Sequence, residues 1–153
     1  MKIRPASAAL VLVAVLAGGG VAACGADPAP QGTTTATSVT SAAVAPSSGA
    51  MVDADTFAAA LATPGTTVVD VRTPAEYAQG HLPGAVNIDV SAPDFATRIA
   101  ALDRAGSYAV YCHSGNRSAA AVAAMTGAGF THVYHLAGGI GAWADSGRSV
   151  VTG

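Results

Sequence analysis

Tyr111-Cys112-His113-Ser114-Gly115-Asn116-Arg117-Ser118 is the stretch whose reading decides the fold. Ahead of it, Tyr108-Ala109-Val110-Tyr111 is an apolar run too short for a helix, bounded by Gly106 and Ser107, and it predicts a buried strand. Behind it, Ala119 to Ala128 is almost pure helix former, which predicts a helix over 118–128. Cys112 therefore stands where a strand ends and a short turn leads into a helix. In an open α/β sheet, ligands bind beyond the carboxyl ends of the strands. The backbone N–H groups of such a turn and of the first helical turn have no intrahelical partner and form an anion cradle. The helix N-terminus and the Arg117 cation both favour thiolate over thiol at Cys112. Gly115 supplies backbone freedom in a tight loop. A cysteine at a strand end is otherwise a buried structural residue; the glycine, the arginine and the helix start point instead to a reactive one.

Working outward, strands and helices alternate. The folded part begins near Met51, and Asp53 or Asp55 can cap a helix through about Leu61 that Pro64-Gly65 ends. Thr66 to Val71 is β-branched and apolar and predicts a central strand. Thr73-Pro74 opens a short helix with Glu76 in its first turn. A short strand is expected over 85–88 and a helix over 92–102 with Phe95, Ile99 and Leu102 on one face. Gly127 and Gly129 are expected to cap the helix after Cys112. A last strand is expected over 132–136 and a last helix over 139–144. This alternation predicts a parallel sheet with helices on both faces, in one domain without internal repeats.

The N-terminal third has another character. Lys2 and Arg4 precede an uncharged apolar run from Ala6 to Ala17, and Val21-Ala22-Ala23-Cys24 then places small residues before a cysteine. Residues 1–23 are expected to be a signal peptide of bacterial lipoprotein type, cleaved before a lipidated Cys24; the alternative is a retained membrane helix. Either puts the domain outside the cytoplasm, held at a membrane. Residues 24–50 form an Ala/Thr/Ser/Pro tether that cannot bury enough surface to offset its ordering entropy, leaving 51–153 as the domain. The chain has 7 basic and 9 acidic residues; without Lys2 and Arg4 the balance is 5 against 9, a net charge of −4. No basic stripe survives for nucleic acid. The two cysteines are Cys24 and Cys112. With the first lipidated, Cys112 has no intrachain partner, and an exposed thiolate kept in oxidising surroundings implies use.

The loop Cys112-x-x-Gly115-x-Arg117-Ser118 resembles the active-site loop of rhodanese-domain sulfurtransferases. Val68-Val69-Asp70-Val71-Arg72-Thr73-Pro74-Ala75-Glu76-Tyr77 is similar to that family's Asp-x-Arg strand and following helix. Gly80-His81-Leu82-Pro83-Gly84-Ala85 resembles its Gly-His-Ile-Pro-Gly-Ala segment, and Gly138-Gly139-Ile140-Gly141-Ala142-Trp143 its closing Gly-Gly-x-x-x-Trp. The resemblance implies a single rhodanese-like domain. It further implies a sulfurtransferase in which Cys112 attacks a small anionic sulfur donor, thiosulfate being the type case, and passes the sulfur as a persulfide to a thiol or cyanide acceptor. Cys112 and Arg117 carry the catalytic expectation, and His113, Ser114, Gly115, Asn116 and Ser118 form the substrate-binding loop. Arg117 can offer its planar fork to an oxyanion or simply pin the loop.

Asp70 and Arg72 read as a supporting charge pair, His81 as a turn residue and Trp143 as a core anchor. His113 is open between tuning the thiolate, contacting substrate and facing solvent. No cofactor is expected, and His132 and His135, three apart on a strand, point to opposite faces and make no metal site. Two competing functions remain. One is a phosphatase or arsenate reductase of the same fold, against which the Cys-x4-Arg spacing weighs because those enzymes carry the longer Cys-x5-Arg. The other is a non-enzymatic sulfur carrier, thiol sensor or partner-binding module.

Overall fold

The computed structural model describes residues 45–153; Cys24 with the expected signal segment, and the tether up to residue 44, lie outside the described residues. Five strands, β1 (Met51–Val52), β2 (Thr66–Asp70), β3 (Val86–Asn87), β4 (Ser107–Tyr111) and β5 (His132–Leu136), form one sheet in the order β1-β5-β4-β2-β3. Every pairing is parallel. The helices are α1 (Ala54–Leu61), α2 (Pro74–Gln79), α3 (Phe95–Ala100), α4 (Asn116–Gly127) and α5 (Gly139–Asp145).

Strand alternation explains the layers. Successive side chains point to opposite faces. Val69, Val71, Tyr108, Val110, Cys112 and Val133 therefore join Phe95 and Ile99 of α3 and Ala121, Val122 and Met125 of α4 in one core. Val68, Ala109, Tyr111, Tyr134 and Leu136 join Phe57 and Ala60 of α1 and Trp143 of α5 in the other. Both faces of the sheet are covered, as a parallel sheet requires. Trp143 anchors its layer edge-on to Phe57, with ring centroids 6.1 Å apart, and its Nε1 donates to the Ser149 carbonyl. Beyond α5 the chain runs back across this layer: Arg148 pairs with Asp55, and Val151 exchanges two backbone hydrogen bonds with His81.

Several boundaries differ from the sequence expectation for local reasons. Of the two expected caps of α1, it is Asp53 that serves, accepting from the Thr56 N–H. The α3 helix covers 95–100 instead of 92–102, because Pro93 disfavours helical backbone at Ala92 and the chain enters through a turn, Phe95 N–H to Ala92 carbonyl. The β3 strand covers 86–87 of the expected 85–88; the N–H of residue 85 instead closes the turn onto Leu82. The α4 helix starts at Asn116, two residues before the expected Ser118. Gly127 ends it as an ordinary helical residue. Gly129 alone makes the expected cap: its N–H donates to Thr126 while Phe130 N–H reaches Met125, and Phe130 packs in the same core as Met125. The β1 strand was not expected, since two residues carry no periodicity; its neighbours fix it, with His135 N–H on the Ala50 carbonyl and Ala137 N–H on Val52.

Candidate active site

Register brings the motif segments to one end of the sheet. Asp70 at the end of β2 lies opposite Tyr111 at the end of β4, and Val110 lies opposite His135 of β5. Cys112 thus leaves the central strand between two neighbours that also end there. Its carbonyl accepts from the Ile140 N–H at 2.9 Å, so the first turn of α5 sits directly on the loop. Gly139 permits that approach, because a Cβ there would overlap the Cys112 carbonyl and the His113 backbone, and its φ is +59°. This is the physical content of the Gly-Gly pair before Trp143.

The loop then turns on Gly115, the N-cap of α4, at φ +101°. Gly115 N–H donates to Cys112 Sγ at 3.1 Å. Ser118, in the first turn of α4, donates from Oγ to the Gly115 carbonyl at 2.9 Å, and the same oxygen lies 3.2 Å from His135 Nδ1. Cys112, Ser118 and His135 are all buried. Burial pushes the Cys112 thiol up, and it is the largest single influence. The Ser118 hydroxyl and the N–H groups of Ser118, Ser114 and Gly115 together outweigh it and bring the thiol below its ordinary value. The thiol is fully enclosed at 0% exposure, not exposed as expected, because the loop wraps the sulfur in its own backbone.

Arg117 is spent elsewhere. Its Nη1 and Nη2 meet Glu76 Oε2 and Oε1 at 2.8 and 2.6 Å, a bidentate pair joining the first turns of α4 and α2. Glu76 Oε2 also accepts from the Thr73 N–H and hydroxyl, so the capping box of α2 doubles as the anchor for Arg117. The Arg117 guanidinium, with Thr73, holds the Glu76 carboxyl far below the usual carboxylate range. Arg117 is itself raised, first by Glu76 and only later by Cys112, and it is not among the leading influences on the Cys112 thiol. With Arg117 held in bidentate fashion by Glu76, the cradle's own donors, more than this cation, favour the thiolate.

Asp70 and Arg72 pair at 2.6 Å, both nearly fully buried. Arg72 Nη2 also donates to the Gly80 carbonyl at 2.6 Å, tying β2 to the end of α2. The Arg72 guanidinium lies 5.6 Å from the Tyr111 ring centre, and the Tyr111 hydroxyl accepts from the Leu82 N–H. The pair therefore braces neighbouring loops. His81 stacks on Tyr77 at 3.8 Å between ring centroids, a turn-fixing role. Next to the loop, Arg72, Glu76, Gly80, His113, Ile140 and Val150 are among the residues lining a pocket of about 490 Å³. His113 is exposed at its edge, as are Ser114 and Asn116 along the loop. His132 is exposed and His135 buried, on opposite faces as expected.

The structure thus gathers Cys112 to Ser118 at one strand end and sets Asp70 and Arg72 beside them. Sequence reasoning missed Glu76 as the partner of Arg117, 41 residues away, and His135 as the neighbour of Ser118. The first had a signal, an acid at the third position of a capping box. The second had only the two-residue phase that puts His135 with Val133.

A buried cysteine facing backbone N–H donors, at the switch from a central parallel strand into a helix, marks the candidate site of this α/β domain. Residues 53–146 match the Rhodanese-like domain family, and the chain belongs to it. It is 44% identical over 87 residues to thiosulfate sulfurtransferase GlpE of Pseudomonas entomophila, covering 56% of this chain and 77% of that one. A sulfurtransferase of Allochromatium vinosum is 36% identical over 101 residues, covering 65% of this chain and 92% of the relative. The crystal structure of a rhodanese-related protein from Thermoplasma volcanium superposes with a TM-score of 0.61 at 33% identity, over 68% of this chain and 99% of that one.

Proposed function

We propose that this protein is a sulfurtransferase that moves a sulfane sulfur from an anionic, thiosulfate-like donor to a thiol or cyanide acceptor through a persulfide on Cys112. The observation that carries this reading is the Cys112 sulfur itself, held by the Gly115 N–H at 3.1 Å with its thiol shifted toward thiolate. The relatives named as sulfurtransferases support it. In the first half-reaction the Cys112 thiolate attacks the outer sulfur of the donor. The donor's S–S bond breaks, sulfite leaves with the electron pair, and Cys112 keeps a persulfide anion. In the second, the acceptor attacks the outer sulfur of the persulfide and the thiolate is regenerated; with cyanide the product is thiocyanate. The N–H groups at Ser114, Gly115 and Ser118 stabilise both anions. Arg117 offers its fork to the donor's oxyanion end in exchange for Glu76, and His113, Ser114 and Asn116 edge the entry.

Intact mass of the full chain before and after thiosulfate tests this. One sulfur atom is expected on the wild type, removable by cyanide, and none at position 112 in Cys112→Ser. Hydrolysis of an aryl phosphate with no sulfur uptake would replace this reading with the phosphatase one. We further propose that Cys24 carries a lipid that holds the domain on the outer side of a cell membrane. Cys24→Ser should then abolish detergent-phase partitioning, and a mature N-terminus at any other residue would sink the assignment.

A further inference from the structure

We infer that His135 is a positioning residue for the Cys112 loop, its Nδ1–H donating to Ser118 Oγ so that the single Ser118 hydroxyl proton is left for the loop and the sulfur. The inference rests on the reading of Cys112 as the sulfur-carrying nucleophile.

Proton counting fixes the direction of the bonds. Ser118 Oγ lies 2.9 Å from the Gly115 carbonyl, which can only accept, so the hydroxyl proton goes there. The same oxygen lies 3.2 Å from His135 Nδ1. With its one proton already committed, Ser118 can satisfy that contact only as acceptor, which makes Nδ1 the protonated nitrogen. If the ring carried its proton on Nε2 alone, Nδ1 and the Gly115 carbonyl would compete for one hydroxyl proton inside a buried site. With Nδ1–H in place, the oxygen stays anchored against the Gly115 carbonyl, beside the Gly115 N–H that holds the sulfur. The Ser118 hydroxyl is the foremost of the donors that favour the thiolate, so whatever holds that oxygen holds the thiolate as well.

The surroundings suit this role. His135 is on β5 opposite Val110, two residues before Cys112, and shares the Val133 face that α4 covers. Burial favours its neutral ring, with no charged partner acting on it. Met51 of β1 and Val110 of β4, its neighbours across the sheet, are apolar. Cys112 is the titratable group on which its partner Ser118 acts. The charged groups round the loop are committed to each other, Arg117 to Glu76 and Arg72 to Asp70, with Asp89 a weaker influence on Arg117 and His113 at the edge. His135 is buried and contacts the Ser118 hydroxyl, and it is not among the residues lining the pocket beside the loop, so it acts through the serine.

The test is a titration of thiolate ultraviolet absorbance in the full chain, with Cys112→Ser as the blank, read beside sulfur uptake from thiosulfate. His135→Leu should lower the thiolate population at neutral pH by about three- to tenfold and slow uptake in proportion. His135→Asn places an amide N–H where Nδ1–H was and should restore both to within about twofold. In a Ser118→Ala background, His135→Leu should add nothing. Long-range proton–nitrogen NMR of the unmodified protein gives a readout independent of any variant's folding, and should find the proton on Nδ1. An Nε2–H ring, a His135→Leu titration matching wild type, or an equal His135→Leu effect without Ser118 would each overturn the inference. Were the His135→Leu shift present but wild type unable to take up sulfur, the positioning role would stand and the sulfurtransferase reading would fall.

Discussion

The two ion pairs beside the loop differ in burial, and burial decides what each one contributes. Asp70 and Arg72 are at 0% and 6% side-chain exposure, whereas Glu76 and Arg117 are at 31% and 33%. A buried pair gains little over an apolar substitute, but breaking it strands the survivor's charge. Asp70→Asn should therefore cost about 3–5 kcal/mol in urea unfolding, because Arg72 keeps only the Gly80 carbonyl as an unshared acceptor. Glu76→Gln should cost no more than about 1 kcal/mol, as exposed pairs do. Its larger effect should be on chemistry: freed from the carboxylate, Arg117 becomes available to an anion, and KM for thiosulfate should fall while the Cys112 titration stays near wild type. An unchanged KM would mean that Arg117 does not meet the donor and only pins α4 to α2. The same geometry revises the expectation for the thiolate. Ser118→Ala should shift the Cys112 titration more than Arg117→Ala does, since the serine hydroxyl acts on the sulfur and the guanidinium is held by Glu76.

At the scale of elements, the site depends on α5 pressing its first turn onto the cysteine loop. Gly139→Ala should test this, because the added Cβ has no room against the Cys112 carbonyl and the His113 backbone and sits at positive φ. We expect a loss of about 1–3 kcal/mol and near-complete loss of sulfur uptake as the loop is pushed off its N–H donors. Gly141→Ala is the control: its Cβ would meet only the His113 carbonyl at 3.9 Å, and a helical glycine-to-alanine change stabilises by about 0.5–1 kcal/mol. Equal behaviour of the two variants would remove the close-packing argument. Both glycines stand in a motif plain in the sequence, yet only the structure says which one is spatially required. That pattern is general here. Val68, Val69 and Tyr108 to Tyr111 are continuous apolar runs that parallel strands demand, so β2 and β4 were legible, and the strand-to-helix turn placed Cys112 without coordinates. Pro93 overrode the Phe95–Ile99–Leu102 periodicity at the start of α3. The Glu76–Arg117 bond could not be read, because a contact across 41 residues leaves no local signal.

Over the whole molecule these local shifts combine into one pH dependence, and their signs agree. Cys112 and Glu76 are acids whose folded-state values are depressed, so each contributes stability present above its unfolded value and lost as pH falls through the folded one. The unfolded values are about 8.5 for cysteine and about 4.3 for glutamate. His135 is a base whose folded value is lowered by burial, so the unfolded chain takes up a proton first as pH falls below about 6.5, and stability falls with it. All three therefore act in one direction: stability should rise with pH up to about 8.5, with the Glu76 step below about 4.3, the His135 step below about 6.5 and the Cys112 step below about 8.5. Urea midpoints measured across that range should climb. Cys112→Ser should flatten the top of the climb, between neutrality and the free-cysteine value. His135→Asn should flatten the stretch near and below the free-histidine value while leaving the top intact, since the asparagine still holds Ser118. Glu76 should act only at the acid end, and weakly, because water reaches the pair. A midpoint that falls from neutral to alkaline pH, or an alkaline rise that survives in Cys112→Ser, would show that the folded chain does not favour the thiolate at Cys112.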